Sequence, residues 1–282
     1  MKFLNEKRCI IGEGPIWNEF EKKLYFTNGF GNEICIYDIY KDELKVIPTE
    51  KNIAAFAFSK GKKMIVSRHD GIFYLNPDGT TDQLYDTTKH QILYGNDMKV
   101  GPDGRLYIGT LSNKKMGISD AIDGKLYSID KSGKVNILLE GLEVSNGMEW
   151  STDETKFYHT DSETDIINEY DFDKNSGNIE FTGRTINVPG VDGFTINKNN
   201  QLVVTRWGAG LLCIIDTVTM TITEEIELPG TYPASCGFAG NNMDVLAITT
   251  SSRRANLEVK TNAGFTILIK MEVGGRKPYL FG

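Results

Sequence analysis

Asn96-Asp-Met-Lys-Val100, Gly101-Pro-Asp-Gly104 and Arg105-Leu-Tyr-Ile-Gly-Thr110 follow one another as a polar anchor leading an apolar strand, a tight turn and a second strand. The same form recurs behind Glu13, Ala54, Asn146, Asp192 and Ala234. Successive anchors at 13, 54, 96, 146, 192 and 234 therefore stand 41, 42, 50, 46 and 42 residues apart. A period of about 40–50 residues is that of one four-stranded propeller blade. The corresponding second strands are Lys23–Thr27, Lys63–Ser67, Arg105–Thr110, Lys156–Thr160, Gln201–Thr205 and Asp244–Thr249. Third strands follow at Glu33–Asp38, Gly71–Leu75, Lys125–Ile129, Ile166–Tyr170, Leu211–Ile215 and Gly264–Ile269. Turn residues between short β-branched and aromatic runs signify antiparallel hairpins, and no long stretch carries the helical period of 3.6.

The chain accordingly reads as all-β, a six-bladed β-propeller with a central channel. With the first anchor at residue 13, residues 3–11 have no blade of their own. They are expected to add an outer strand to the C-terminal blade, closing an exposed sheet edge and bringing the two termini together.

An all-β unit can run to about 250 residues, and no linker or low-complexity stretch interrupts the repeats, so residues 1–282 are expected to form one domain. The opening Met-Lys-Phe-Leu-Asn-Glu-Lys-Arg has no apolar signal core, and no run of about 18 apolar residues is present; a soluble cytoplasmic protein without a membrane partner is expected. Four cysteines without CxxC spacing read as reduced, buried thiols. A net charge of −7, from 31 basic and 38 acidic residues, argues against a nucleic-acid partner. No Walker loop, GxGxxG, GxSxG elbow or HExxH is present, which removes the nucleotide-dependent, serine-hydrolase and zincin readings.

In a propeller the innermost strands face the channel, so equivalent positions of different blades converge. The six anchors are Glu13, Ala54, Asn96, Asn146, Asp192 and Ala234. The two alanines show that the scaffold accepts an apolar group there. Four confined polar side chains are costly to desolvate unless one another, water or an ion satisfies them. Two carboxylates and two amide carbonyls are hard oxygen donors with a formal charge of −2. They suit one divalent cation, Ca²⁺ foremost, then Mg²⁺ or Mn²⁺, with catalytic Zn²⁺ left open. Ordered channel water is the alternative occupant.

The pieces Gly12-Glu-Gly-Pro-Ile-Trp17, Asn96-Asp97, Gly101–Thr110, Ser145-Asn-Gly-Met-Glu-Trp150, Asp161-Ser162, Val191-Asp-Gly-Phe194 and Pro278-Tyr-Leu-Phe-Gly282 span nearly the whole chain. In order and spacing they resemble the regucalcin (senescence marker protein) and gluconolactonase group of six-bladed propellers. The resemblance implies a divalent metal held by Glu13, Asn146 and Asp192. It implies that Asn96 faces the same site, as a further metal ligand or a substrate contact. It also implies a lactone hydrolase in which Asp192 is the base that activates water or serves purely as a ligand. A phosphotriesterase-like hydrolase and a non-catalytic calcium-binding or scaffolding propeller are the other readings. Animal members place an Arg two residues ahead of the matching Asn, where this chain has Tyr94, a candidate substrate contact of different preference.

Ser112 to Asp123 carries little strand pattern and reads as a surface connection, with a lid over the channel mouth as the alternative. Trp17 and Trp150, four residues beyond their anchors, read as packing between blades, and Trp207 as less constrained. His159 and Asp161 alternate on one strand, with a catalytic His-carboxylate pair as the lesser alternative, and Asp161 reads as structural or as support for the residues of the site.

Overall fold

The computed structural model describes residues 1–76, 80–86, 88 and 90–282. After β1 (Lys2–Leu4), the first sheet comprises β2 (Gly12–Asn18), β3 (Lys23–Asn28), β4 (Glu33–Asp38) and β5 (Glu43–Pro48). The second holds β6 (Ala55–Phe58), β7 (Met64–Arg68), β8 (Gly71–Leu75) and β9 (Thr81–Gln83). In the third, β10 (Gly95–Val100) and β11 (Leu106–Thr110) lead through the short helix α1 (Asn113–Met116) to β12 (Gly124–Ile129) and β13 (Val135–Leu142). The fourth contains β14 (Ser145–Trp150), β15 (Lys156–Asp161), β16 (Ile166–Phe172) and β17 (Ile179–Asn187). The fifth contains β18 (Val191–Ile196), β19 (Gln201–Arg206), β20 (Leu211–Asp216) and β21 (Thr221–Glu227). The last is built from β22 (Pro233–Ala239), β23 (Val245–Thr250) and β24 (Thr266–Lys270).

Each of the first five sheets is a four-stranded meander, and β1 completes the sixth in the order β1-β24-β23-β22. The fold is thus the all-β, six-bladed propeller that the repeat predicts. Residues Met1–Asn52 with Ile186–Pro278 form one compact unit, and Ile53–Thr185 with Tyr279–Gly282 form another.

Burial explains the strand pattern. β6, β18 and β22 are buried at every residue, as inner strands covered on both faces must be, whereas the outermost β5 and β21 are largely exposed. In the first unit Trp17, Phe26, Leu212 and Leu246 belong to one apolar cluster. In the second, Trp150 packs with Tyr107 and Phe157, its ring centroid 4.8 Å from that of Tyr107. Trp17 and Trp150 are core residues, as their repeat positions suggest. All four cysteines are free and buried. Among the described residues no helix is long and apolar enough to cross a membrane.

The N-terminal strand pairs as expected, Lys2 with Leu268, Phe3 with Ile267 and Leu4 with Thr266, but it occupies residues 2–4 only. Residues 8–11 instead run beside the sixth sheet's loops: the Cys9 N–H donates to the Gly264 carbonyl at 2.7 Å, and Ile11 bridges Ser251. The chain's extreme C-terminus goes elsewhere. Phe281 bridges Ser59, and the Gly282 N–H donates to the Gly104 carbonyl at 3.0 Å. The N-terminal strand meets β24, then, but the two termini do not meet: the last four residues belong to the second unit.

Leu4 is 1% exposed and is the side chain through which β1 joins the core. Leu4→Ala should cost about 2–4 kcal/mol in denaturant unfolding, whereas Lys2→Ala, at an exposed ion pair with Asp42, should cost under about 1 kcal/mol.

Candidate functional site

All six anchors stand at the heads of inner strands. Glu13, Asn96, Asn146, Asp192 and Ala234 are each the second residue of β2, β10, β14, β18 and β22, and Ala54 immediately precedes β6. A register shift interrupts the ladder at five of these heads: between Glu13 and Ile16, Gly95 and Met98, Asn146 and Met148, Val191 and Phe194, and Pro233 and Ser235. The ladder of β6 runs without such a shift from Ala55, opposite Ser67. A β-bulge lifts a residue out of the alternating pleat and re-aims its side chain, which is why bulges gather near functional sites. All four polar anchors lie on bulged strands.

Within the first unit, Asp192 is 8% exposed and Glu13 half-buried. Beside Asp192 the packing leaves no slack. A Cβ on Gly193 would lie 2.6 Å from Ser235 Oγ, so this position tolerates only glycine beside the neighbouring β22. The buried Thr205 hydroxyl donates to the Gly193 carbonyl at 2.6 Å and lies 2.9 Å from the Ala234 carbonyl. It thereby ties the bulge carrying Asp192 to the next inner strand.

Within the second unit, Asn96 donates from Nδ2 to the Ser145 carbonyl at 3.1 Å, which leaves Oδ1 as its acceptor end. Asn146 donates from Nδ2 to Ser162 Oγ at 3.2 Å and accepts from the Gly147 N–H at 3.1 Å. Adjoining Asn96, the Asp97 carboxyl accepts the Met98 N–H at 2.8 Å, and its burial pushes its pKa up. Lys99 pairs with the almost fully buried Glu149 at 2.9 Å.

Tyr94 adopts a left-handed backbone, φ 55°. That conformation is uncommon for a bulky residue and carries strain of about 1–3 kcal/mol unless its surroundings impose it. Here the Tyr94 N–H donates to the His69 carbonyl at 3.0 Å and its carbonyl accepts from Leu111 at 2.9 Å, while the ring meets His69 edge-on at 6.0 Å. The strained backbone fixes a half-exposed phenol two residues from Asn96.

The segment from Ser112 to Asp123 leaves β11 at this same end. Ser112 caps α1 by accepting the Lys115 N–H, and Asn113 holds Asp123 through two hydrogen bonds of 2.8 and 2.7 Å. Lys114 pairs with Glu143, and Lys115 with Glu163. It is a closed, cross-braced surface loop.

Sequence reasoning misses the Ser145–His159 pair, with Oγ and Nε2 2.7 Å apart. Both residues are buried, and burial lowers the His159 pKa to about 4, so the imidazole is neutral near pH 7. Asp161 accepts N–H bonds from Glu143, Val144 and Glu163 and so fixes the approach to β14, the structural role its position suggests. The signal for Ser145–His159 lies only in strand register, which places Ser145 opposite Asp161 and Met148 opposite His159.

Among the described residues no three of His, Cys, Asp and Glu gather as a metal-holding group. A metal at the anchors would therefore draw on amide oxygens as well as carboxylates. Glu13, Asn96, Asn146 and Asp192 are chemically such a set, fit for a hard cation.

These features define the chain as a six-bladed β-propeller with its chemistry-bearing side chains at the heads of the inner strands. It belongs to the SMP-30/Gluconolactonase/LRE-like region family, whose match runs over residues 11–252. Among its relatives, the candidate sugar lactone lactonase YvrE of Bacillus subtilis (strain 168) is 28% identical over 98% of this chain and 96% of its own length. Regucalcin of Gallus gallus is 25% identical over 97% and 95%. The crystal structure of regucalcin from Agrobacterium tumefaciens, described as a calcium-binding protein, superposes with a TM-score of 0.87 at 22% identity, covering 99% of this chain and 96% of that one.

Two outcomes follow. Thr205→Val should cost about 1–3 kcal/mol by leaving the Gly193 and Ala234 carbonyls without their hydroxyl, measured by denaturant unfolding. His159 has its folded pKa depressed from 6.5 to about 4, so the unfolded chain binds a proton before the folded one does. Stability should therefore fall as pH drops from about 6.5 towards 4. The fall should be shallower in His159→Gln, by up to one proton, or about 1.4 kcal/mol per pH unit, in unfolding titrations.

Proposed function

We propose that the protein is a divalent-metal-dependent hydrolase that opens lactones of the sugar type or related to them. One observation carries the reading: in a chain of the gluconolactonase family, the oxygen-bearing anchors Glu13, Asn96, Asn146 and Asp192 all lie on bulged inner strands. The similarity to a candidate sugar lactone lactonase supports it. The four anchors would hold the metal, with Ca²⁺ first in fit. When bound, the metal supplies Lewis-acid polarisation of the lactone carbonyl.

The chain's own residues do the rest. Asp192 takes the proton of the attacking water on a carboxylate oxygen, and its low exposure keeps bulk water from competing. Asn96 Oδ1 and the Tyr94 phenol orient the substrate, with Tyr94 held in place by its two backbone hydrogen bonds. The products are the ring-opened hydroxycarboxylate and a proton.

The test is pH-stat hydrolysis of glucono-, galactono-, xylono- and aromatic lactones by chelated protein, before and after Ca²⁺, Mg²⁺, Mn²⁺ or Zn²⁺ is restored. Turnover should require a metal and fall by about 10³-fold or more in Asp192→Ala. Turnover that survives chelation, or persists in Asp192→Ala, would exclude the reading. Cleavage of a phosphotriester by a chain inert to every lactone would replace it.

A further inference from the structure

In the first compact unit, at the anchor end of its strands, Trp207 and Tyr232 lie ring on ring, with centroids 5.8 Å apart and planes 24° from parallel. Trp207 directly follows β19. Its N–H donates to the Gly190 carbonyl at 2.6 Å, two residues ahead of Asp192. Tyr232 directly precedes β22, and its carbonyl accepts from Ser251 at 2.8 Å. The Lys260 ammonium lies 5.4 Å from the tyrosine ring centroid. Short backbone hydrogen bonds thus hold both rings, one on each of two neighbouring blades.

Packing does not account for the stack. The other two tryptophans, Trp17 and Trp150, are 2% and 0% exposed, whereas Trp207 and Tyr232 are both half-exposed. The loops at this end of the unit also carry Phe30, Leu257 and Val259, at 48%, 44% and 70% exposure. Half-exposed stacked rings on the strand ends of the unit that carries Asp192 cost solvation without adding to a core, the mark of a ligand surface. A stacked pair offers a flat, polarisable face with few hydrogen-bond partners, which matches an aromatic ring better than a fully hydroxylated sugar.

We propose that the Trp207–Tyr232 stack is a substrate subsite for a planar aromatic ring, so that the preferred lactones carry an aromatic substituent or fused ring. Its catalytic arm rests on the lactonase reading. Trp207 and Tyr232 are positioning residues that set specificity and take no part in bond making.

The test joins kinetics to binding. With metal restored, 3,4-dihydrocoumarin should show a KM at least about tenfold below that of glucono-1,5-lactone. Trp207→Ala should raise the dihydrocoumarin KM about tenfold with kcat within about twofold, leave the gluconolactone KM unchanged, and be rescued by Trp207→Phe. An unchanged dihydrocoumarin KM in Trp207→Ala, or a preference for gluconolactone, overturns the proposal. Should no lactone be hydrolysed with any metal, the catalytic reading fails and fluorescence decides the subsite alone. The unreactive lactam 3,4-dihydro-2-quinolinone should quench emission in the parent protein and leave the Trp17 and Trp150 emission of Trp207→Phe unchanged. Absence of quenching in the parent overturns the subsite.

Discussion

The molecule depends on a conflict at the head of each inner strand. An inner strand must keep its backbone hydrogen-bonded, because both its faces are covered, yet a side chain that is to reach a ligand must leave the pleat. The bulge resolves this by giving up one rung of the ladder, and the freed carbonyls then need other donors. The buried hydroxyls that end the second strands, Thr27, Ser67, Thr110, Thr160, Thr205 and Thr249, stand beside these heads. Thr205 and Thr249 donate directly to inner-strand carbonyls, while Thr110 and Thr160 turn to the third strand instead. The repeat supplies the same chemical means six times, and individual blades use it differently.

That division sets what could be read from the chain alone. Inner and second strands were legible because short apolar runs, buried on both faces, alternate with fixed turn residues. The outermost strands were not: β21, Thr221–Glu227, is exposed at six of its seven residues, so nothing in its sequence has to be apolar. Its place comes from main-chain pairing with β20, which leaves little trace in composition. The N-terminal strand was anticipated from edge closure, but its three-residue length and the course of residues 8–11 depend on loops of the sixth sheet.

The site was legible to the same degree. Residue types at the anchors pointed to hard oxygen donors, and Tyr94 stood out through the family resemblance, as the residue in the place of an Arg. What positions them was hidden. Thr205 reaches across to the next sheet, Ser145 meets His159, and Trp207 stacks on Tyr232, which lies 25 residues further along the chain. Each is a tertiary contact between residues whose local sequence is unremarkable for a β protein. Glycines 95 and 193 belong with them. A Cβ at either would lie 2.1 or 2.6 Å from a serine hydroxyl, a constraint visible only once the strands are side by side.

The routes taken by the chain ends bear on how the protein emerges from the ribosome. Strand β1 has no partner until β24 is synthesised, and the bridge from Ser59 waits for Phe281. Each compact unit lacks a piece until its late segment is made, β24 in the first unit and Tyr279–Gly282 in the second. The loop-closure cost of both pairings falls on the final step, when the local hairpins are already in place. Until β24 is made, residues 2–8 must stay soluble without their sheet, a demand that Lys2, Glu6, Lys7 and Arg8 around Phe3 and Leu4 are suited to meet.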